Sequence, residues 1–205
     1  IGTGFMGKAH SIAYSASASV FGTGLRPCLE IVCDLSPERA SQRATDLGFS
    51  RYSDNWRDVV EDAQVQLVSV CTPNDTHAEI AIAALAAGKH VWCEKPMSTT
   101  LADSTAMANA AAGSTGKTII GYNYTKNPAV THARRLIDDG VIGRVSSFFC
   151  RYDVDNEADG NRPWSWRMSR AQSGTGANGD VLSHVISVAH FLTNSSISRV
   201  VGDYA

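Results

Sequence analysis

Three groups of residues carry side chains whose type and spacing suit chemistry. The stretch Gly88-Lys89-His90-Val91-Trp92-Cys93-Glu94-Lys95-Pro96 brings a carboxylate and an amine to the end of a short apolar run. In an open parallel α/β sheet, chemistry collects just beyond the carboxyl ends of the strands. Glu94 and Lys95 would stand there, and Pro96, which fixes φ and has no N–H, stops the strand. A lysine at such an edge can hydrogen-bond a substrate hydroxyl, and a neighbouring cation or partial desolvation suits a lysine to acid–base work. The plain alternative is a Glu–Lys surface pair at a strand end. Asp180 and His184 are four residues apart in a helical pattern and project from one side. A carboxylate beside an imidazole fixes its tautomer and favours its charged form; the alternatives are a capping Asp and a satisfied core His. Gly2-Thr3-Gly4-Phe5-Met6-Gly7 has the G-x-G-x-x-G spacing. Its glycines allow a tight turn, close approach of backbone to a pyrophosphate, and a helix N-terminus facing the phosphates. Asp34 ends the next apolar run, somewhat beyond the usual spacing of about 20 residues. A carboxylate there accepts hydrogen bonds from ribose hydroxyls and repels a 2′-phosphate. An ordinary helix-start Asp is the alternative.

These residues need strands and helices in alternation to hold them. The pattern predicts a helix from Phe5 to about Ala16, a flexible small-residue loop over Ser15–Pro27, and a strand from Leu29 to Cys33. A helix capped by Ser36-Pro37 runs to Gly48, followed by an edge strand at Arg51–Ser53 and a short helix at Asn55–Glu61. Val65–Cys71 reads as a buried strand ending in Thr72-Pro73-Asn74. A helix from about Thr76 to Ala87 follows, with His77 expected as an exposed helix-start residue. Then come the strand before Glu94, a helix over Leu101–Ala112 and a strand over Thr118–Tyr122. Strands alternating with helices of about ten residues predict a parallel sheet covered on both faces. Beyond a crossover helix at Asn127–Asp139 the pattern changes. Val145–Tyr152 alternates as an antiparallel strand would, a polar loop carries Trp164, Trp166 and Arg167, and Asp180–Leu192 is helical. Arg199–Ala205 reads as a further strand. The predicted fold is α/β: an N-terminal Rossmann, doubly wound parallel sheet over residues 1–124. An α+β domain with an open, mostly antiparallel sheet starts within residues 125–205 and is truncated.

Composition excludes several classes. Of 205 residues, 43% are hydrophobic and 19% charged, with a net charge of -2. That is an ordinary globule without the basic footprint of a nucleic-acid binder. No apolar run approaches the roughly 18 residues of a membrane span. The five cysteines are odd in number, and Cys33, Cys71 and Cys93 sit in apolar runs, which predicts reduced buried thiols and a cytoplasmic protein. No CxxC pair or HExxH motif points to a metal. The chain opens on Ile1, one residue before the glycine turn, where a whole strand is expected. We therefore expect a fragment with a gap in its sheet, poorly soluble or unstable as it stands.

Cys71-Thr72-Pro73-Asn74 with His77, Gly-Lys-His-Val leading into Glu94-Lys95-Pro96, Trp166-Arg167, and Gly179-Asp180-x-x-Ser183-His184 come in an order that resembles the glucose–fructose oxidoreductase and inositol 2-dehydrogenase superfamily, the GFO/IDH/MocA type. The resemblance covers essentially the whole chain. It implies an NAD(P)-binding Rossmann domain and a second domain carrying part of the substrate site. It implies catalytic roles for Lys95, Asp180 and His184. It makes Gly2, Thr3, Gly4, Phe5, Met6, Gly7, Asp34, Cys71, Thr72, Pro73, Asn74, His77, Glu94 and Lys95 cofactor contacts, with Asn123 and Arg167 near the nicotinamide or substrate. Tyr124, Trp166 and Arg167 join the catalytic residues as substrate contacts, and no metal is implied.

The implied activity is hydride transfer between NAD, favoured over NADP by Asp34, and a secondary alcohol of a sugar, inositol or related polyol. Arg39 would soften that preference if its side chain folded back. The implied partners are a small-molecule substrate and further copies of the chain, as a dimer or tetramer, with no nucleic acid and no membrane. Leu182, Ser187 and Lys126 stand where the family commonly has Gly, Asp and Arg, departures that bear on substrate identity more than on chemistry. Two other readings remain: a glycoside hydrolase of the same superfamily that returns its NAD⁺ each cycle, and a non-catalytic dinucleotide sensor.

Overall fold

In a computed structural model of the chain the described residues are 1–155 and 159–202. They fall into two compact units. The first comprises Ile1–Gly121 and Ser165–Gly174, the second Tyr122–Trp164 and Thr175–Ala205.

The first unit alternates helix and strand: α1 Phe5–Phe21, β1 Ile31–Cys33, α2 Pro37–Leu47, β2 Arg51–Ser53, α3 Trp56–Glu61, β3 Leu67–Val70, α4 His77–Ala86, β4 His90–Cys93, α5 Leu101–Gly113 and β5 Thr118–Ile120, with the short α7 Arg170–Ser173 from the later segment. Local chemistry sets the ends. The Ser36 hydroxyl accepts the Arg39 N–H at the start of α2, Pro37 takes the first turn, and Gly48 closes the helix in the left-handed region. Thr100 caps α5 by accepting from Asp103 N–H. α1 overturns the expected loop after Ala16, since it continues through the Ser/Ala run to Gly22, whose φ is 60°. The hydroxyls of Ser11, Ser15 and Ser17 bond back to carbonyls of the preceding turn. They thus stay within the helix instead of competing with it.

Among the described residues all strand pairing is parallel. β1 pairs with β2, Ile31 opposite Arg51. β4 lies between β3 and β5, with Leu67 opposite His90 and Val91 opposite Thr118. Helices pack on these strands and bury alternate residues, while Leu67 at 41%, Ile119 at 45% and Tyr52 at 52% stay exposed, so Val65–Cys71 is only partly the buried strand expected. Val68, Val70, Val91, Cys93, Ile80, Ala81 and Ala84 are all at most 3% exposed. Each such valine contributes about 1.5–3 kcal/mol by burial. Ile1 and Gly2 are the stitch between the two ladders. The Ile1 ammonium donates to Ser69 O at 2.7 Å, Cys71 N–H donates to Ile1 O at 2.8 Å, and Gly2 N–H donates to Cys33 O at 2.8 Å. Beside this dipeptide is a cavity of about 460 Å³, lined among others by His10, Tyr14, Ile31, Val59 and Val68. Cys33 and Cys93 are buried thiols, as predicted; Cys71 is half-buried, and all five cysteines are free.

The second unit holds α6 Pro128–Asp138 and α8 Ser183–Thr193. Asn127 caps α6 by accepting Ala129 N–H, again with proline in the first turn. Arg134 on α6 donates to the Phe191 carbonyl at the end of α8. The strand expected at Val145–Tyr152 carries no ladder in the structure. A strand exists only with a partner, and among the described residues of this unit none is present; Phe149 stands 89% exposed. Of the strand expected at Arg199–Ala205, residues 199–202 are unpaired and 203–205 lie outside the described residues.

Candidate active site

In the first unit the predicted cofactor residues gather at one edge of the parallel strands. Asp34 follows β1, Cys71–Asn74 follow β3, Glu94–Pro96 follow β4, and the glycine turn leads into α1 beside them. Gly2 has φ +88°, and a Cβ there would lie 2.5 Å from the Cys71 carbonyl oxygen. Only glycine fits that crossing of turn and strand end. Gly4 starts α1 without a side-chain cap, and the first turn of the helix, which includes Gly7, holds no acidic residue. Such an end offers N–H groups and a partial positive charge to an anion. Phe5 is 82% exposed and Met6 half-buried at the same end.

Asp34 is held in place. Its carboxylate accepts the Thr3 hydroxyl, the Ser36 N–H at 3.3 Å, and the Arg39 guanidinium at 3.2 Å. Arg39 therefore does fold back, while its own side chain remains 61% exposed. Thr3 and Asn74 are buried. The Asn74 amide donates to the Ser173 carbonyl at 3.0 Å, which brings the Ser165–Gly174 segment, and with it Trp166 and Arg167, into the first unit. The Arg167 guanidinium sits over the Trp166 ring, 4.6 Å from its centroid. Thr72 Oγ accepts the Thr76 hydroxyl at 2.7 Å.

Two expectations change here. His77 is not an exposed helix-start residue but 1% exposed. Its ring nitrogens lie 2.9 Å from the Pro96 carbonyl and 3.0 Å from the Thr72 carbonyl, so the ring fills the space between the loops after β3 and β4 and, when neutral, donates to one of the two. Burial lowers its pKa, outweighing the two carbonyls, which favour the protonated ring. Nor is Glu94 half of a surface pair. It is 5% exposed; one oxygen lies 3.0 Å from His10 Nε2 and the other accepts the Lys95 N–H at 3.3 Å. The Lys95–Pro96 peptide is cis.

In the second unit His184 is 7% exposed. Tyr124 lies against its ring with centroids 4.4 Å apart, and Tyr122 meets it edge-on at 6.1 Å. The Tyr124 hydroxyl bonds that of Tyr152. Burial pushes the Tyr122 phenol up. Asp180 stands in a π-helical turn, Asn178–Leu182, leading into α8; single π turns recur at functional sites. Asn123 opens the 3₁₀ turn Asn123–Lys126. Among the described residues no cluster of His, Cys, Asp or Glu could hold a metal ion, and no helix is long and apolar enough to cross a membrane.

Sequence reasoning missed His10, Tyr14, Ser69, Trp92 and Ser173. The first four form one cluster between α1 and the sheet. Polar Ser69 and bulky Trp92 in otherwise small, apolar strands were its visible signal.

Residues 1–122 match an oxidoreductase family with an NAD-binding Rossmann fold, and residues 130–205 match the GFO/IDH/MocA C-terminal domain. Levoglucosan dehydrogenase of Pseudarthrobacter phenanthrenivorans is 40% identical over all of this chain and 53% of its own length. The 1,5-anhydro-D-fructose reductase of Ensifer adhaerens is 33% identical over 81% of this chain and 49% of its own. A solved levoglucosan dehydrogenase in complex with NADH and levoglucosan superposes with a TM-score of 0.90 at 41% identity, covering 93% of this chain and 52% of that one. The chain thus spans about half the length of these relatives. Both parts of the chain, and the glycine turn and strand-end residues that the structure gathers, make it a member of the GFO/IDH/MocA oxidoreductase family.

Proposed function

We propose that the protein is an NAD-dependent dehydrogenase of the CH–OH type, acting on a secondary alcohol of a sugar, inositol or related polyol. The observation that carries the reading is the row of Asp34, Thr72–Asn74 and Glu94–Lys95 at the carboxyl ends of the parallel strands, beside an uncapped, acid-free N-terminus of α1. Residues 1–124 would form the cofactor domain. The α1 terminus and Gly2–Gly7 would hold the pyrophosphate, Asp34 the adenosine ribose, and Thr72, Asn74 and Lys95 the nicotinamide half. Asp34 favours NAD, since a 2′-phosphate would meet its carboxylate, although Arg39 offsets part of that charge. When bound, NAD⁺ would supply the hydride acceptor at this site.

The remaining steps belong to the chain. His184 takes the hydroxyl proton, Asp180 orients it, and Lys95 hydrogen-bonds the same oxygen and assists its deprotonation. Asn123, Tyr124, Trp166 and Arg167 contact the nicotinamide or substrate. The similarity to levoglucosan dehydrogenase makes anhydrosugars the first substrates to try. The protein would act in the cytoplasm as a homo-oligomer.

The test is a panel of anhydrosugars, sugars, inositols and their keto forms with NAD⁺/NADH and NADP⁺/NADPH, followed by cofactor absorbance. Net reduction of NAD⁺ by at least one polyol is expected. Glycoside cleavage with no net change in NAD⁺ would replace this reading with the hydrolase, and dinucleotide binding with no turnover of any compound would replace it with the sensor.

A further inference from the structure

A buried ion pair lies beneath the first helix, and nothing in the hydride step calls for it. His10 is 4% exposed on α1 and Glu94 5% exposed after β4, with Nε2 and Oε1 3.0 Å apart. His10 Nδ1 is 3.1 Å from Ser69 Oγ and 3.6 Å from the Cys71 sulfur. Tyr14 OH is 2.7 Å from the same Ser69 oxygen. The Trp92 ring packs on the imidazole with centroids 4.3 Å apart. The titratable groups facing His10 are therefore Tyr14 from α1, Cys71 beyond β3 and Glu94 beyond β4. Burial opposes a charge on the ring, but hydrogen bonds to Cys71 and Glu94 outweigh it and raise the pKa to about 9. With that pKa the ring carries both protons at neutral pH: Nε2–H donates to Glu94, and Nδ1–H faces both Ser69 Oγ and the Cys71 sulfur.

The Glu94 carboxylate has two further close neighbours. Its second oxygen accepts the Lys95 N–H. On its far side stands Gly121, where a Cβ would overlap the carboxylate itself. Removing one member of such a pair leaves an uncompensated buried charge that must find a new place. A shift of Glu94 would therefore disturb the main chain at Lys95 or the end of β5.

We propose that His10 is a positioning residue of the dehydrogenase: through Glu94 it fixes the strand end that presents Lys95. This rests on the dehydrogenase reading above and adds to it a residue that touches neither cofactor nor substrate. A charged His10 keeps Glu94 and the Lys95 main chain in register; a neutral ring, with its burial unchanged, holds them less firmly. The contribution is complete below the ordinary histidine pKa of 6.5 and disappears as pH rises through about 9.

The experiment has two arms on the full chain. In the first, Trp92 emission is followed against pH, taken as the difference between wild type and Trp92→Phe. A protonated imidazole quenches a stacked indole, so emission should rise as pH passes about 9, and the step should vanish in His10→Gln. In the second, kcat and the NADH dissociation constant are followed against pH. His10→Phe keeps the bulk and loses both bonds; it should lose about 10- to 100-fold in kcat, the scale of a small misplacement of a reacting group, with a smaller change in NADH binding. His10→Gln can still donate to Glu94 but cannot titrate. It should recover most of the kcat at neutral pH and lose the fall near pH 9. If His10→Gln keeps the wild-type alkaline fall, or His10→Phe keeps wild-type kcat, the proposal is overturned; should His10→Phe not fold, His10→Gln decides. If no substrate turns over at all, the proposal falls with the dehydrogenase reading, and a surviving fluorescence step shows that the reading failed and not the ion pair.

Discussion

Replacing His77 by leucine tests whether the two strand-end loops are held by this one ring. The side chain is 1% exposed, between the Pro96 carbonyl at 2.9 Å and the Thr72 carbonyl at 3.0 Å. With its pKa lowered by burial, the ring is neutral and has one N–H to give. Leucine keeps most of the volume and removes that donor, leaving one buried carbonyl without its partner, a loss of about 1–3 kcal/mol. Alanine adds a cavity and should cost about 3–5 kcal/mol in all, in the range for large buried side chains. A depressed folded-state pKa means the histidine's stability is present above about 6.5 and lost as pH falls through the lower folded value. Wild type should therefore weaken relative to His77→Leu as pH falls below 6.5. Urea unfolding followed by circular dichroism at pH 7.5 and 5.5 measures both effects, and NADH titration reports the loops, with weaker binding expected in both variants. The reasoning fails if His77→Leu unfolds within about 0.5 kcal/mol of wild type, or if the gap between them is the same at both pH values.

Other expectations are simpler. Asp34→Ser should raise the NADP-to-NAD ratio of kcat/KM by about tenfold or more, because Arg39 is released to meet a 2′-phosphate; an unchanged ratio would remove Asp34 from cofactor choice. His184→Ala and Lys95→Ala should each lose about 10²–10⁴ in kcat while NADH fluorescence titration stays near normal. Asp180→Asn should lose less and shift the pH profile. Full activity in His184→Ala across pH 6–9 would make that histidine structural.

The first unit was legible because its signals are local. Ser36-Pro37 and Gly48, or Thr100 with Asp103, announce helix ends by their own hydrogen bonds, and apolar runs such as Val65–Cys71 announce strands. Glu94-Lys95-Pro96 and Thr72-Pro73-Asn74 were found for the same reason, as polar residues at abrupt ends of apolar runs. What failed depends on partners distant in sequence. Val145–Tyr152 has the alternation of a strand, but a ladder needs a second strand. His77 reads as exposed from its place at a helix start, yet Pro96 and Thr72 enclose it. The His10–Glu94 pair joins residues from α1 and β4, and no spacing along the chain reveals it. The length of α1 was underestimated because the small residues from Ser15 onward read as a flexible loop, whereas the serine hydroxyls bond within the helix.

The Arg39–Asp34 ion pair has a consequence for salt. Its arginine side chain is 61% exposed and its aspartate side chain 11%, so the charge that offsets Asp34 lies in water while Asp34 itself is sheltered. Raising ionic strength screens an exposed charge far more than a sheltered one. The affinity for NADP, whose 2′-phosphate would need Arg39, should therefore fall with added salt more steeply than the affinity for NAD, which Asp34 would hold by hydrogen bonds. Titration of both dinucleotides at low and high salt measures the two slopes, and equal slopes would mean that Arg39 plays no part in telling them apart.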